Sequence, residues 1–133
     1  MEFSQKQARQ IALDNLTASQ FLALSIETLD RLGWIPSHIN ERGFTAYTNN
    51  GIFSWNAKVS LKITNELAEL ESESSGDDVL DMKGNRSNIQ NFITILSSLK
   101  KSANPKELES IYENLKPEFS FDKQHAYSYG FSV

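Results

Sequence analysis

Trp55-Asn56-Ala57-Lys58-Val59-Ser60-Leu61-Lys62-Ile63-Thr64 alternates apolar and polar side chains without a break. A pleated chain sends alternate residues to opposite faces, so this run predicts a β-strand with one dry and one wet face. Asn65-Glu66 reads as a turn, after which Leu67 to Ser74 sets Ala68 and Leu70 against Glu69, Glu71 and Glu73. Upstream, Phe44-Thr45-Ala46-Tyr47-Thr48 is rich in strand formers, with turn residues on both sides at Glu41-Arg42-Gly43 and Asn49-Asn50-Gly51. Trp34 to Asn40 completes a hairpin with it, and Pro36 assigns that strand to an edge or a strand start. Four strands joined by short polar turns predict an antiparallel meander with one solvated face.

Helical spacing flanks the meander. Thr17-Ala18-Ser19-Gln20 has the capping-box spacing ahead of Leu22, Ile26 and Leu29 on one face, and Gly33 stands where a left-handed C-cap is wanted. Phe3 to Leu16 carries Ala8, Ile11, Ala12 and Leu16 at similar spacing, so the first 32 residues read as helix. That stretch is either a short helix of its own or the front of a longer one. On the other side, Val79 to Met82 reads as a short extra strand. Ser87-Asn88-Ile89-Gln90 repeats the capping-box spacing and opens a helix with the stripe Ile89, Phe92, Ile93, Leu96 and Leu99. Asn104-Pro105 starts a further helix as N-cap and first-turn proline, and Lys116-Pro117 stops it. Near the end Tyr127, Tyr129, Phe131 and Val133 alternate, as in a closing strand or an aromatic segment laid over the domain. The prediction is an α+β two-layer sandwich: a sheet of four to five antiparallel strands with N- and C-terminal helices on one face. It forms a single domain over residues 1–133: helical over 1–33, sheet over 34–82, helices over 85–116, then the aromatic segment.

Composition bounds the function. The chain has 133 residues, 39% hydrophobic and 23% charged, which suits one globular domain with its own core. Cysteine is absent, which removes thiol chemistry and disulfides and fits a cytoplasmic setting. The longest strictly apolar run is Phe21 to Leu24, and no basic flank leads into an apolar stretch at the N-terminus. Neither a membrane span nor a secretory signal is therefore expected. A net charge of -4 argues against a nucleic-acid partner, and so does the lack of a basic-aromatic motif around Trp34 and Trp55.

Three stretches carry possible chemistry. Asp77, Asp78 and Asp81, with Asn85 nearby, offer hard oxygen ligands for a divalent cation, though not at EF-hand spacing. The plainer reading of the acidic run from Glu66 to Asp81 is a solvated face, its glutamates lying across from Lys58 and Lys62. His38 and His125 are far apart, and His38 is expected to share a strand face with Trp34. Lys83-Gly84-Asn85-Arg86-Ser87 joins glycine, basic side chains and an expected helix N-terminus. Free amides there could hold an anion or a lipid head group beside Lys83, Arg86 and Ser87; the turn and cap requirements account for the same residues. No nucleophile elbow, phosphate loop or dinucleotide fingerprint is present.

Several pieces together resemble an uncharacterised bacterial α+β domain. They are Leu32-Gly33-Trp34, Phe44 to Thr48, Ser54-Trp55 with Lys58-Val59, Glu71-Ser72-Glu73-Ser74-Ser75, and Asp81-Met82-Lys83-Gly84-Asn85 with Asn88-Ile89 and Phe92. The group's last element commonly reads Asp-Trp-Gly-Lys-Asn-x-x-Asn-Ile, so Met82 and the order Lys83-Gly84 depart from it. The resemblance spans about residues 20–96. Such domains occur alone or ahead of membrane-embedded segments, including rhomboid-type protease regions. It implies a cytosolic accessory module, possible association with a membrane protein, and neither a catalytic residue nor a cofactor.

The expectation is therefore a non-enzymatic binding, regulatory or assembly module that takes a protein partner or a second copy. The aromatic set Tyr127, Tyr129 and Phe131 is the first candidate surface and the edge Trp34–Asn40 the second. The alternatives are a small metal-dependent hydrolase built on Asp77, Asp78 and Asp81 with His38 or His125 as base, and an anion-binding module at Lys83–Ser87.

Overall fold

The structure is a computed structural model that describes residues 5–49, 57–74 and 79–119. Its strands are β1 (Gln5–Ala12), β2 (Ile35–Asn40), β3 (Gly43–Tyr47), β4 (Lys58–Ile63) and β5 (Leu67–Ser74). They form one sheet in the order β1-β5-β4-β3-β2, antiparallel at every step. The expected meander is β2 to β5, and alternation decides which of its residues are dry. Ala57, Val59, Leu61 and Ile63 are buried, as are Phe44, Ala46, Ala68 and Leu70. Between them Lys58, Lys62 and Glu69 face solvent. Register places Lys58 opposite Glu73 and Lys62 opposite Glu69, the cross-strand arrangement expected of the acidic run.

Helices α1 (Ala18–Leu32), α2 (Val79–Ser102) and α3 (Pro105–Leu115) cover the dry face, and a 3-10 turn, Lys116–Glu118, ends the described chain's helical part. α1 starts at a full capping box: Thr17 Oγ1 accepts from the Gln20 amide at 3.1 Å, and Gln20 Oε1 accepts from the Thr17 amide at 3.0 Å. It ends at Gly33 with φ 76°, a left-handed residue whose N–H returns to the helix carbonyls. α3 is capped by Asn104 Oδ1, which accepts from the Lys106 amide at 2.8 Å. Phe21, Leu22, Leu24 and Leu29 of α1 meet Ile89, Phe92 and Leu96 of α2 and the dry face of the sheet in one core. Phe92 joins the layers, its ring 6.2 Å from Trp34 and 6.0 Å from Phe44. Among the described residues no helix is long and apolar enough to cross a membrane.

Ser25 is fully buried in α1, and its hydroxyl has no hydrogen-bond partner among the described residues. A buried orphan hydroxyl costs desolvation without return, so Ser25→Ala is expected to stabilise the protein by about 1 kcal/mol in urea unfolding.

Three expectations from the sequence are corrected. The N-terminal stretch is not helical: Gln5–Ala12 is β1, paired with β5 from Gln5↔Ser74 to Ala12↔Leu67. A short, polar-rich stretch gains little as a helix on its own, whereas the free edge of β5 satisfies its backbone directly. The chain then turns sharply through Asp14 and Asn15, with φ of 49° and 48°, and the Leu16 amide donates to the Leu13 carbonyl at 3.3 Å. Aspartate and asparagine are the non-glycine residues that best tolerate this left-handed backbone.

Secondly, residues 79–82 are the first turn of α2 rather than a strand, so the fifth strand is β1. Ser87 and Asn88 consequently lie inside α2, not at its start. The third correction concerns the edge: register slips between Pro36 and His38, a bulge that reverses which side chains face in. Ile39 is buried like Trp34, while His38 is exposed, so His38 and Trp34 do not share a face. The described β4 runs from Lys58 to Ile63; Trp55 and Asn56, expected in the same strand, lie outside the described residues, as do His125, Tyr127, Tyr129 and Phe131.

Candidate functional site

The outward face of the sheet is where unpaired charge collects. The bulge in β2 turns His38 onto it. The β2–β3 turn then presents Arg42, held at both backbone ends: its N–H donates to Asn40 Oδ1 at 2.7 Å, and its carbonyl accepts from the Ile63 amide at 2.7 Å. Lys62 of β4 stands opposite Gly43 in register. Gly43 approaches the Leu61 carbonyl so closely that no Cβ fits, and a hollow of about 250 Å³ lies beside this contact. His38, Arg42 and Lys62 line it together with Thr45 and Ser60, which are directly opposite each other on β3 and β4.

No described carboxylate forms an ion pair with His38, Arg42 or Lys62, although Glu41 adjoins Arg42 and Glu69 faces Lys62 across the strands. The Thr45 and Ser60 hydroxyls likewise have no partner among the described residues. A guanidinium, an ammonium, an imidazole and two hydroxyls therefore surround one concavity. Such a set donates hydrogen bonds and holds negative charge. Arginine's planar fork suits the paired oxygens of a carboxylate or phosphate. At 250 Å³ the hollow is smaller than pockets that enclose drug-sized ligands, so it matches an anionic group rather than a whole cofactor.

The other sequence candidates fall elsewhere. Lys83, Arg86 and Ser87 are exposed along α2. Their amides belong to the helix interior, where each N–H is taken by the carbonyl four residues back, so the free amides expected there are absent. Asp77 and Asp78 lie outside the described residues, and Asp81 belongs to the first turn of α2. Among the described residues no three or more histidine, aspartate or glutamate side chains gather where they could hold a metal ion. Asn85, named with the aspartates as an oxygen ligand, is instead fully buried: it accepts from Ser72 Oγ at 2.8 Å and donates to Ser74 Oγ at 3.0 Å. Asn88 donates to Ser72 Oγ at 3.1 Å, completing a polar clasp between α2 and β5.

A second hollow, about 560 Å³, opens between the β1–α1 turn and the β4–β5 turn, with Asp14, Asn15, Asn65 and Glu66 on its walls. Asp14 Oδ2 accepts from Lys100 Nζ at 2.6 Å, which ties the turn to the end of α2. The Thr17 hydroxyl is committed to the capping box. Asp14 and Thr17 thus serve the turn.

No protein-family model and no curated protein matches the chain.

Sequence reasoning missed the hollow because its residues come from one turn, a bulge and two further strands. Arg42, Gly43 and Lys62 form no motif in one dimension. The available signal was Gly43 at the start of a strand-forming run, since glycine there often marks close backbone approach.

Proposed function

We propose that this chain is a non-enzymatic binding module whose ligand presents a phosphate-class oxyanion to the hollow of His38, Arg42 and Lys62. The observation that carries this reading is the convergence of three nitrogen side chains on one concavity without an ion-pair partner among the described carboxylates, in a protein of net charge -4. An acidic chain has carboxylates to spare for surface cations. Cations left uncompensated around a hollow create a local positive field that attracts an anion.

The test is titration of the ¹⁵N-labelled chain with inorganic phosphate, followed by amide shifts in a low-salt buffer. Saturable shifts are expected at Asn40, Gly43 and Lys62, weakening as salt rises from about 20 to about 200 mM because the site is open to solvent. Arg42→Gln with Lys62→Gln should weaken the apparent affinity at least about tenfold, a difference of about 1.4 kcal/mol. Lys83→Gln with Arg86→Gln should leave the shifts at the hollow as they are. Sedimentation with phosphatidic acid vesicles, against phosphatidylcholine vesicles, separates a lipid head group from a free phosphate ester as the source. Absence of shifts at those amides, or equal shifts in the Arg42/Lys62 variant, overturns the reading.

A further inference from the structure

Charge on the outward face is divided by strand. β4 contributes Lys58 and Lys62, and β5 contributes Glu69, Glu71 and Glu73. Register makes them neighbours, yet neither lysine closes to an ion pair with a described glutamate. At the margins, apolar groups remain in solvent. Ile35 and Tyr47 lie directly opposite each other on β2 and β3 and are 56% and 45% exposed. Ala8 and Ala12 of β1 are exposed on the far side. No described helix lies on this face. The β2 edge itself is a poor template for strand addition, because Pro36 has no N–H to offer and the bulge breaks the ladder.

We infer that the outward face is the contact between two copies of this chain, stacked sheet to sheet about a two-fold axis that runs parallel to the strands between β4 and β5. Such an axis carries β4 of each copy over β5 of the other. Lys58 then meets Glu73 of the second copy, Lys62 meets its Glu69, and each contact is repeated by symmetry. Tyr47 comes over Lys6 and Ala8 of the second copy, which covers part of the exposed ring. An axis perpendicular to the strands would instead set β4 against β4 and β5 against β5, juxtaposing like charges. The strand pattern therefore selects one stacking geometry.

Size sets the strength. With this axis β1, β5, β4 and β3 overlap and β2 overhangs; four strands at a spacing of about 4.8 Å, each roughly 20 Å long, give about 400 Å² of face per copy. About 800 Å² in all falls below the roughly 1,000 Å² of a stable specific interface, so the pair is weak, reversible and concentration-dependent. This contact goes beyond the oxyanion reading and does not rest on it. Because the Glu69 carboxylate of the second copy would compete with phosphate for Lys62, the experiment is run without phosphate.

Sedimentation equilibrium of the full chain from about 10 µM to about 1 mM reads the association directly. Weight-average mass is expected to rise from 15.0 kDa toward twice that value. Two charge variants then decide the geometry. Lys58→Glu makes the central strands more acidic, and Glu69→Lys with Glu73→Lys makes them basic. Each variant alone should stay monomeric, and an equimolar mixture should associate again, with circular dichroism confirming that both are folded. Monomeric wild-type protein at the highest concentration overturns the proposal. So does association that persists in either variant alone, or a mixture that stays monomeric. None of the three substituted residues lines the oxyanion hollow, so the phosphate titration remains a separate readout.

Discussion

Phe92→Ala is expected to destabilise the protein by about 4 kcal/mol, the upper part of the range for truncating a buried aromatic ring. Phe92 is fully buried and contacts both Trp34, which leads into β2, and Phe44 on β3. Its removal leaves a void between helix and sheet, lined by side chains that β4 and α1 already fix in place. Collapse into that void is therefore incomplete, and the lost contacts are not recovered. For a chain of this length the expected fall in Tm is about 15 °C. Urea unfolding should show a lower midpoint at nearly constant slope. Phe92→Leu, which retains most of the volume, should cost less than half as much. Equal costs for the two substitutions would show that Phe92 does not join the layers as described.

Asn85→Ala is expected to cost about 3 kcal/mol, for a different reason. Asn85 is fully buried, and its amide group both accepts from Ser72 and donates to Ser74. Truncation leaves those hydroxyls without one of their partners in a place water does not reach. The desolvation penalty then adds to a small cavity. Arg86, its exposed neighbour on the same helix, gives the control: Arg86→Ala should lie within about 0.5 kcal/mol of wild type. A similar small effect at Asn85 would mean that water enters the clasp and satisfies the serines.

Much of this architecture is legible in one dimension where a residue's local role and its tertiary role coincide. Thr17, Gln20 and Gly33 bound α1 by the same backbone hydrogen bonds that make those residue types good caps. Val59, Leu61 and Ile63 alternate because β4 lies centrally, with helices on one side only. The misreadings come from residues whose role is set by distant partners. Ser87-Asn88-Ile89-Gln90 mimics a helix start, yet Asn88 is buried to reach Ser72, and the apolar stripe of α2 runs on through Asn85 as a polar extension. Gln5–Ala12 carries no decisive pattern, and β5 determines its conformation. The hollow of His38, Arg42 and Lys62 was hidden for a further reason. A bulge changes the parity of a strand without changing its composition, so His38 could be assigned to a face only once Thr45 was seen opposite it.

The place of β1 also governs the order of assembly. β2 through β5 follow one another along the chain as neighbours in space, so each new pairing closes a short loop. β1 pairs only with β5, with the whole of α1 and the meander lying between them in the chain. Its closure entropy is met only after the partner edge exists, so the N-terminal strand is expected to join the sheet after β5 has paired with β4. Until it arrives, β5 is a bare edge, its backbone donors and acceptors open to any extended chain nearby.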